Sequence, residues 1–280
     1  MKRRVVTTVL IWAVFAVGLG VLAYPSISNY WNSLRQSHAI ANYTYQAAQM
    51  SSADMQAQFD AADAYNQTLA ANTDRFTLTS AQMSTYNSIL DVDSSGMIGV
   101  LAIPKIGVRL PIYHGTSATV LQSGVGHLPG SSLPVGGPGT HAVLSGHRGL
   151  PSAELLTNID QLVAGDQFQI TILDQTLVYE VDQISTVAPE DLSQLSIVPG
   201  QDYVTLVTCT PYGVNTQRLL VRGHRVPTSS QLLSAESGQV VDTSSWTVVL
   251  VALAAITAVA IMLIKTFKGK RKSRQQCDAG

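Results

Sequence analysis

The sequence predicts a mainly β protein: a closed barrel with short helices, preceded by a helical region and flanked by two transmembrane helices. Three observations support this fold class. Residues 97–226 contain short runs of alternating apolar residues separated by Gly and Pro, which is typical of a barrel. Residues 24–90 carry apolar residues at steps of three and four, which is typical of amphipathic helices. Residues 5–23 and 246–264 are uncharged apolar runs of 19 residues, long enough to cross a bilayer.

Basic residues next to the apolar runs predict how the chain crosses the membrane. Residues 1–4 include Lys2, Arg3 and Arg4, and the tail at 265–280 holds four lysines and two arginines. Because basic flanks stay in the cytoplasm, both ends are predicted to be cytoplasmic, with transmembrane helices at 5–23 and 245–264. The alternative for the first run is a cleaved signal peptide. Its length of 19 residues exceeds a usual signal core and favours an uncleaved anchor.

The part of the chain predicted to lie outside the cell, residues 25–243, is strongly acidic. It contains 8 basic and 17 acidic residues, so its net charge is 8 − 17 = −9, although the whole chain carries only −1. This charge argues against nucleic-acid binding. It favours the approach of a lysine-rich partner, although solubility alone is a sufficient reason for these carboxylates. Lys105 is the only lysine in this part of the chain.

The region at 24–95 is predicted to contain two longer helices and a short one. Ser51 and Ser52 can begin the second helix. The predicted apolar stripes are Trp31, Leu34, His38, Ala41, Tyr45 and Ala48 in the first helix, and Met55, Phe59, Ala62, Tyr65 and Leu69 in the second. Such stripes are usually packing surfaces, so no cofactor is predicted. A break at 71–79 precedes the short helix at 81–90.

Two groups of residues suggest a metal site, but neither has the spacing that a metal requires. The acidic turn at 91–96 copies half of a calcium-binding EF-hand loop, yet Ala102 stands where a bidentate glutamate is needed. His114, His127 and His141 match no zinc motif. No metal is therefore predicted, and the acidic turn is interpreted as a domain boundary. His127 and His141 either line the cleft or form hydrogen bonds within the loop at 126–140.

The barrel domain is predicted at residues 96–226. Its strands are predicted at 108–112, 141–145, 168–172, 177–181, 204–208 and 218–226, with one helix at 151–162. Residues 227–244 are rich in Ser, Gln and Thr and are predicted to form a flexible linker to the second membrane helix.

Cys209 is the candidate nucleophile of this domain. It follows the predicted strand at 204–208, and the other cysteine of the chain, Cys277, lies beyond the second apolar run. A lone extracytoplasmic thiol is either an inert core residue or a nucleophile. His147 and Arg218 favour the nucleophile, because an imidazole can return a proton to a leaving amine and a guanidinium can stabilise an oxyanion. Arg148 is interpreted as a structural or surface charge.

Six short motifs resemble those of the class C, pilus-building sortases. They are Ile-Pro-Lys-Ile at 103–106, Leu-Pro-Ile-Tyr-His-Gly at 110–115, Gly-His-Leu at 126–128, Ser-Ser-Leu-Pro at 131–134, Gly-His-Arg-Gly at 146–149, and Thr-Leu-Val-Thr-Cys-Thr-Pro-Tyr-Gly-Val-Asn at 205–215. The resemblance covers residues 96–226 and implies a sortase-type β-barrel. It also implies an active site formed by Cys209 as nucleophile, His147 as general acid and base, and Arg218 as the group that stabilises the oxyanion and the substrate.

The resemblance implies a membrane-anchored cysteine transpeptidase of a Gram-positive cell surface, with its catalytic domain outside the cell. Such an enzyme cleaves a Leu-Pro-x-Thr-Gly-like sorting signal between Thr and Gly and holds it as a thioester, here on Cys209. A lysine amine of the next pilin then resolves the thioester. The implied partners are sorting signals of pilins or surface proteins, that lysine, and the membrane.

Three alternatives compete with this interpretation. A housekeeping sortase would attach surface proteins to a cell-wall precursor; the helical N-terminal region and the C-terminal anchor speak against it without excluding it. A wall-anchored structural protein would carry a sorting motif just before the second apolar run, where this chain has Val-Val-Asp-Thr-Ser-Ser at 240–245. A papain-like hydrolase would place its cysteine at a helix start.

The resemblance further implies a lid over the active site, at residues 72–79. Family lids carry an aspartate, a proline and an aromatic residue, and this chain has Asp74 and Phe76 with Arg75 in place of the proline. Asp74 is expected to pair with Arg218, and Phe76 is expected to cover Cys209. Without a proline to fix φ, the lid is expected to be looser than the family pattern. The alternative is an ordinary surface loop.

Overall fold

The computed structural model describes residues 2–70, 72 and 74–227. The predicted second transmembrane helix at 245–264, the basic tail at 265–280 and all but the first residue of the predicted linker lie outside the described residues. Within the described chain, residues 32–227 belong to one compact unit and residues 2–31 to another.

The described residues form four α-helices and three 3-10 turns. The helices are α1 (Lys2–Gln49), α2 (Ser52–Ala70), α3 (Ser80–Ser88) and α4 (Ala118–Ser123), and the 3-10 turns are Pro104–Ile106, Ile159–Gln161 and Ser193–Leu195. Among the described residues, α1 alone is long and apolar enough to cross a membrane. This agrees with the predicted first membrane segment, whereas the direction of crossing stays a prediction.

Eight strands form the closed barrel that the sequence predicts. They are β1 (Met97–Ile103), β2 (Val108–His114), β3 (Val125–His127), β4 (Thr140–Ser145), β5 (Gln167–Ile172), β6 (Gln175–Val187), β7 (Asp202–Thr210) and β8 (Gln217–Val226). Their order around the barrel is β1-β2-β3-β4-β7-β8-β6-β5. The β2–β3 and β4–β7 pairs are parallel. The parallel β4–β7 pair brings the carboxyl ends of two strands that are distant in sequence to one end of the barrel.

The predicted helix at 151–162 is wrong. This segment consists of turns and a single 3-10 turn at Ile159–Gln161, and Leu155 has φ +44°, which an α-helix does not allow. All four apolar side chains that suggested a helical face are buried: Leu155, Leu156, Ile159 and Leu162. An irregular chain path can bury all four, and tertiary packing therefore overrides the local pattern.

The predicted packing face of α1 is also wrong, whereas that of α2 is confirmed. In α2, Phe59, Ala62 and Leu69 are buried. In α1, Tyr45 is 63% exposed, and the buried residues of its part after Trp31 are Ile40, Tyr43 and Ala47. The Tyr43 hydroxyl donates to the Ile98 carbonyl at 2.9 Å and accepts from the Leu173 N–H at 2.9 Å. The apolar pattern of the sequence does not reveal these two hydrogen bonds. They are made from the buried face of α1, which lies next to the predicted one.

The histidines His114, His127 and His141 are buried structural residues. His127 Nε2 lies 2.8 Å from the Ser132 carbonyl oxygen, and the His141 ring nitrogens lie 2.8 Å from the Ser196 carbonyl oxygen and from Thr205 Oγ1. Among the described residues, the ring nitrogens of His114 form no hydrogen bond of normal geometry. Hydrogen bonding within the fold therefore accounts for His127 and His141. In the described part of the chain, no three His, Cys, Asp or Glu residues are grouped so as to hold a metal.

Acid is expected to destabilise the fold through these three histidines. Burial lowers the pKa of His114 and His141 to about 4 and of His127 to about 3, whereas an unfolded histidine titrates near about 6.5. Below about pH 6.5 the unfolded chain binds protons that the folded chain does not. Stability then falls by about 1.4 kcal/mol per pH unit for each histidine, until the folded pKa is reached. Above about pH 6.5 these groups are neutral in both states and add no pH dependence.

Urea unfolding of the protein at several pH values measures this effect. The free energy of unfolding should fall steeply from about pH 6.5 to about pH 4.5. In His141→Gln the slope of this fall should be smaller by the contribution of one proton, about 1.4 kcal/mol per pH unit. His38, on α1, is exposed, and His38→Gln is the matched control that should leave the slope unchanged. An equal slope in the parent and His141→Gln would contradict the prediction.

Candidate active site

Cys209 and Arg218 lie directly opposite each other on neighbouring strands. In the antiparallel β7–β8 pair, Cys209 is paired with Arg218. Directly opposite residues of an antiparallel pair project from the same face of a sheet. Val204 and Leu206 of β7 are buried in the barrel core, so the alternation of side chains turns Cys209 to the outer face. The thiol is free and partly exposed.

His147 approaches the same place from the other side of β7. Strand β4 ends with Ser145 paired in parallel with Val207, and the next backbone bond joins the Gly146 N–H to the Val207 carbonyl at 3.0 Å. The Thr208 hydroxyl also donates to the Gly146 carbonyl at 2.8 Å. In this register Gly146 lies level with Thr208. One residue further along each segment, His147 lies level with Cys209. The three predicted site residues therefore lie at the same end of the barrel.

The arginine of this site keeps its charge free of any acidic partner. Arg218 Nη1 donates to the carbonyls of Asn215 at 3.3 Å and Gln217 at 3.1 Å. No carboxylate of the described residues forms an ion pair with it. The carbonyl bonds orient the guanidinium without neutralising it, so its remaining N–H groups can still act as donors.

A second apolar cluster, named the groove floor, lies on the outer side of the barrel near the Cys209–Arg218 pair. It comprises the buried residues Val143, Val187, Leu195 and Leu220, with Phe76, Leu128 and Val207 packed against them. Val207 pairs with Leu220, two residues before Cys209 along β7, which is about 7 Å away at about 3.3 Å per residue. This cluster is separate from the barrel core.

The segment at 74–79 places Phe76 on this groove floor. Arg75 anchors it and is only 8% exposed. The Arg75 guanidinium donates to the carbonyls of Gly130 and Leu195 and lies 4.4 Å from the centre of the Phe76 ring. Burial lowers the pKa of Arg75. The Arg75 backbone also packs so closely on Gly130 that a Cβ there would lie 2.1 Å from the Arg75 carbonyl oxygen.

The expected ion pair between Asp74 and Arg218 is absent. The contacts of Arg75 also show no sign of the looser lid that was expected from an arginine in place of the proline. Asp74 is exposed, and its carboxylate accepts from the Thr77 hydroxyl at 2.9 Å. A carboxylate that closes its own turn in this way is satisfied locally. Arg75 is the residue that fastens the segment, because its long side chain reaches the carbonyls of two separate loops.

Sequence reasoning missed the anchoring role of Arg75 and the residues of the groove floor. For the groove floor a signal was present: Val207 and Leu220 stand two residues from Cys209 and Arg218 on predicted strands, hence on the same faces. For Arg75 there was none, because arginine is usually exposed.

Comparison with known proteins identifies the family of this fold. Residues 101–226 match the family described as "Sortase domain". Sortase D of Bacillus subtilis is 33% identical over 131 residues, which cover 46% of this chain and 63% of that protein; the match thus spans less than two thirds of this relative.

Two solved structures cover more of the chain. Sortase C1 of Streptococcus agalactiae is 51% identical with a TM-score of 0.67, covering 69% of this chain and 100% of that one. Sortase C of Clostridium perfringens, solved with the C-terminal cell wall sorting motif, is 41% identical with a TM-score of 0.61, covering 69% and 100%.

A free cysteine, a histidine and an arginine at one end of a closed barrel are the side-chain types that acyl transfer by a cysteine enzyme requires. The chain belongs to the sortase family of cysteine transpeptidases. Similar solved structures include several sortases C, in keeping with the predicted class C resemblance. The prediction of an enzyme is therefore confirmed.

Proposed function

We propose that this protein is a pilus-assembling sortase. It would cleave a Leu-Pro-x-Thr-Gly-like signal between Thr and Gly and transfer the threonyl group to a lysine amine of a pilin. The observation that carries the proposal is the arrangement of Cys209 opposite Arg218 on β7 and β8, with His147 level with the thiol at the end of β4.

Each proposed residue has one chemical task. The Cys209 thiolate attacks the threonine carbonyl carbon, and the carbonyl electrons move to an oxyanion that the Arg218 guanidinium stabilises. When this intermediate collapses, the Thr–Gly bond breaks and His147 gives its proton to the departing glycine amine. A lysine amine then attacks the thioester, His147 takes up the proton that this amine releases, and an isopeptide bond forms as the Cys209 thiolate leaves.

The groove floor suits the apolar end of such a signal, and the lid favours a pilus enzyme over a housekeeping one. Leu and Pro would lie on Val143, Val207 and Leu220, in the place that Phe76 now occupies. The residues at 72–79 are therefore proposed to act as a lid that must open before the signal binds. A housekeeping role, with a cell-wall precursor as acceptor, remains the alternative.

The scarcity of lysine on the enzyme fits a lysine acceptor. Lys105 is the only lysine between residues 25 and 243, and its ammonium pairs with the Asp166 carboxylate at 2.7 Å. The enzyme therefore offers its own thioester few competing amines. For location we propose two membrane anchors, at residues 5–23 and 245–264, with the catalytic unit outside the cell and both termini in the cytoplasm.

Intact-mass measurement tests this function. Full-length protein in detergent would be incubated with a peptide containing Leu-Pro-Ala-Thr-Gly, and an adduct on Cys209 that hydroxylamine removes is expected. Absence of that adduct would refute the transpeptidase proposal. The thioester is then offered either a lysine-containing pilin peptide or a peptide with an N-terminal glycine, which distinguishes the two candidate acceptors. Only the lysine-containing peptide should resolve the thioester of a pilus enzyme.

A further inference from the structure

Arg148, the residue after His147, is held by an unusual set of contacts. Its side chain is only 10% exposed. Its Nε donates to the Thr157 carbonyl at 3.1 Å, Nη1 donates to the Thr210 hydroxyl at 3.4 Å, and Nη2 donates to the Asp160 carboxylate. One guanidinium thus joins the loop after His147 to the residue that directly follows Cys209.

Contacts on both sides of His147 connect its segment to the end of β7. Before His147, the Gly146 N–H and carbonyl bond to Val207 and Thr208. After it, Arg148 reaches Thr210, and the Tyr212 ring packs on Gly149, where an added Cβ would lie 3.0 Å from the ring. Gly149 has φ +75°, a conformation that favours glycine. Arg148 thus supplies a hydrogen bond from the loop after His147 to the end of β7.

We propose that Arg148 is a positioning residue, which holds His147 level with Cys209 by fastening the chain after His147 to the chain after Cys209. This inference rests on the proposed acyl transfer. The partner Asp160 is about half exposed, at 48%, so its ion pair is screened by water and small in energy. The fork of N–H donors therefore matters more than the charge, and a lysine could not make the three bonds.

Positioning of a general acid has a large kinetic effect, because proton transfer requires hydrogen-bond reach of the reacting atoms. A displacement of about 1 Å can cost about a hundredfold in rate. A residue that acts only through His147 has a further property. Once His147 is removed, removing that residue as well lowers the reaction rate little further. A residue that merely stabilises the fold lacks this dependence.

A double-mutant cycle on full-length protein in detergent tests the proposal. The rate of thioester formation with saturating Leu-Pro-Ala-Thr-Gly peptide is measured for the parent, Arg148→Ala, His147→Ala and the double variant. Arg148→Ala should lower this rate about tenfold or more while KM changes less than about threefold. The double variant should react within about twofold of His147→Ala. Arg148→Lys should recover little, and Asp160→Asn should stay near the parent rate.

The positioning role would be overturned if the rate losses of the two single variants multiplied in the double variant. It would also be overturned if Arg148→Ala changed KM as much as it changed the rate. Alkylation of Cys209 by iodoacetamide gives the same cycle without any sorting peptide, so it decides even if the parent forms no thioester and the proposed function fails. There, His147→Ala should slow alkylation in the parent and have almost no effect in Arg148→Ala. An equal effect of His147→Ala in both backgrounds, with a lower melting temperature for Arg148→Ala alone, would show a purely structural residue.

Discussion

Cys209→Ala is expected to abolish turnover while the protein stays folded. The substitution removes the nucleophile and little volume from a partly exposed position. His147→Ala and Arg218→Ala should each lower kcat/KM by at least about a hundredfold, the scale of losing a general acid or an oxyanion donor. Arg218→Lys should recover poorly, because an ammonium lacks the planar fork of donors. Steady-state cleavage of a Leu-Pro-x-Thr-Gly peptide measures all four variants.

The barrel supplies matched controls for these variants. Arg222 lies on β8, on the same face as Arg218, and pairs with Asp182 through both carboxylate oxygens at 2.9 and 3.0 Å. His224 is also on β8 and half exposed, at 41%. Arg222→Ala and His224→Ala should stay within a few-fold of the parent kcat/KM. If Arg218→Ala behaves like Arg222→Ala, the site does not use the arginine opposite Cys209.

Arg75→Ala is expected to open the lid and raise the rate at which a thiol reagent labels Cys209. Removing the guanidinium leaves the Gly130 and Leu195 carbonyls without their partner, and it removes the cation beside the Phe76 ring. Losing such buried bonds costs about 1–3 kcal/mol. Since about 1.4 kcal/mol is a factor of ten, the labelling rate should rise by about fivefold to about 150-fold. The rate is measured with a methanethiosulfonate reagent under pseudo-first-order conditions.

Two neighbouring residues calibrate the lid experiment. Phe76→Ala should also speed labelling, because the ring packs on the groove floor beside Cys209. Asp74→Ala should have less than about a twofold effect, since its carboxylate contacts only the exposed turn within the lid. Equal labelling rates for Arg75→Ala and Asp74→Ala would mean that Arg75 does not hold the lid closed.

The sequence by itself determined the barrel, two of the three candidate site residues as a pair, and the candidate nucleophile. Alternating apolar residues predicted β7 and β8, and only the six residues 211–216 separate these strands. A short connection between antiparallel strands restricts their register. The opposition of Cys209 and Arg218 is therefore a local consequence of the chain.

Only the tertiary structure decided where His147 and Arg75 lie. His147 is level with Cys209 because β4 pairs in parallel with β7, and an apolar pattern indicates a strand without naming its partner. Arg75 is buried because the carbonyls of two distant loops converge on its guanidinium. The same reason explains the mistaken face of α1, where Tyr43 bonds to Ile98 and Leu173. Local propensity determines which elements form, whereas contacts between residues far apart in the chain determine which side chains meet, because their partners are specified only when the whole core packs.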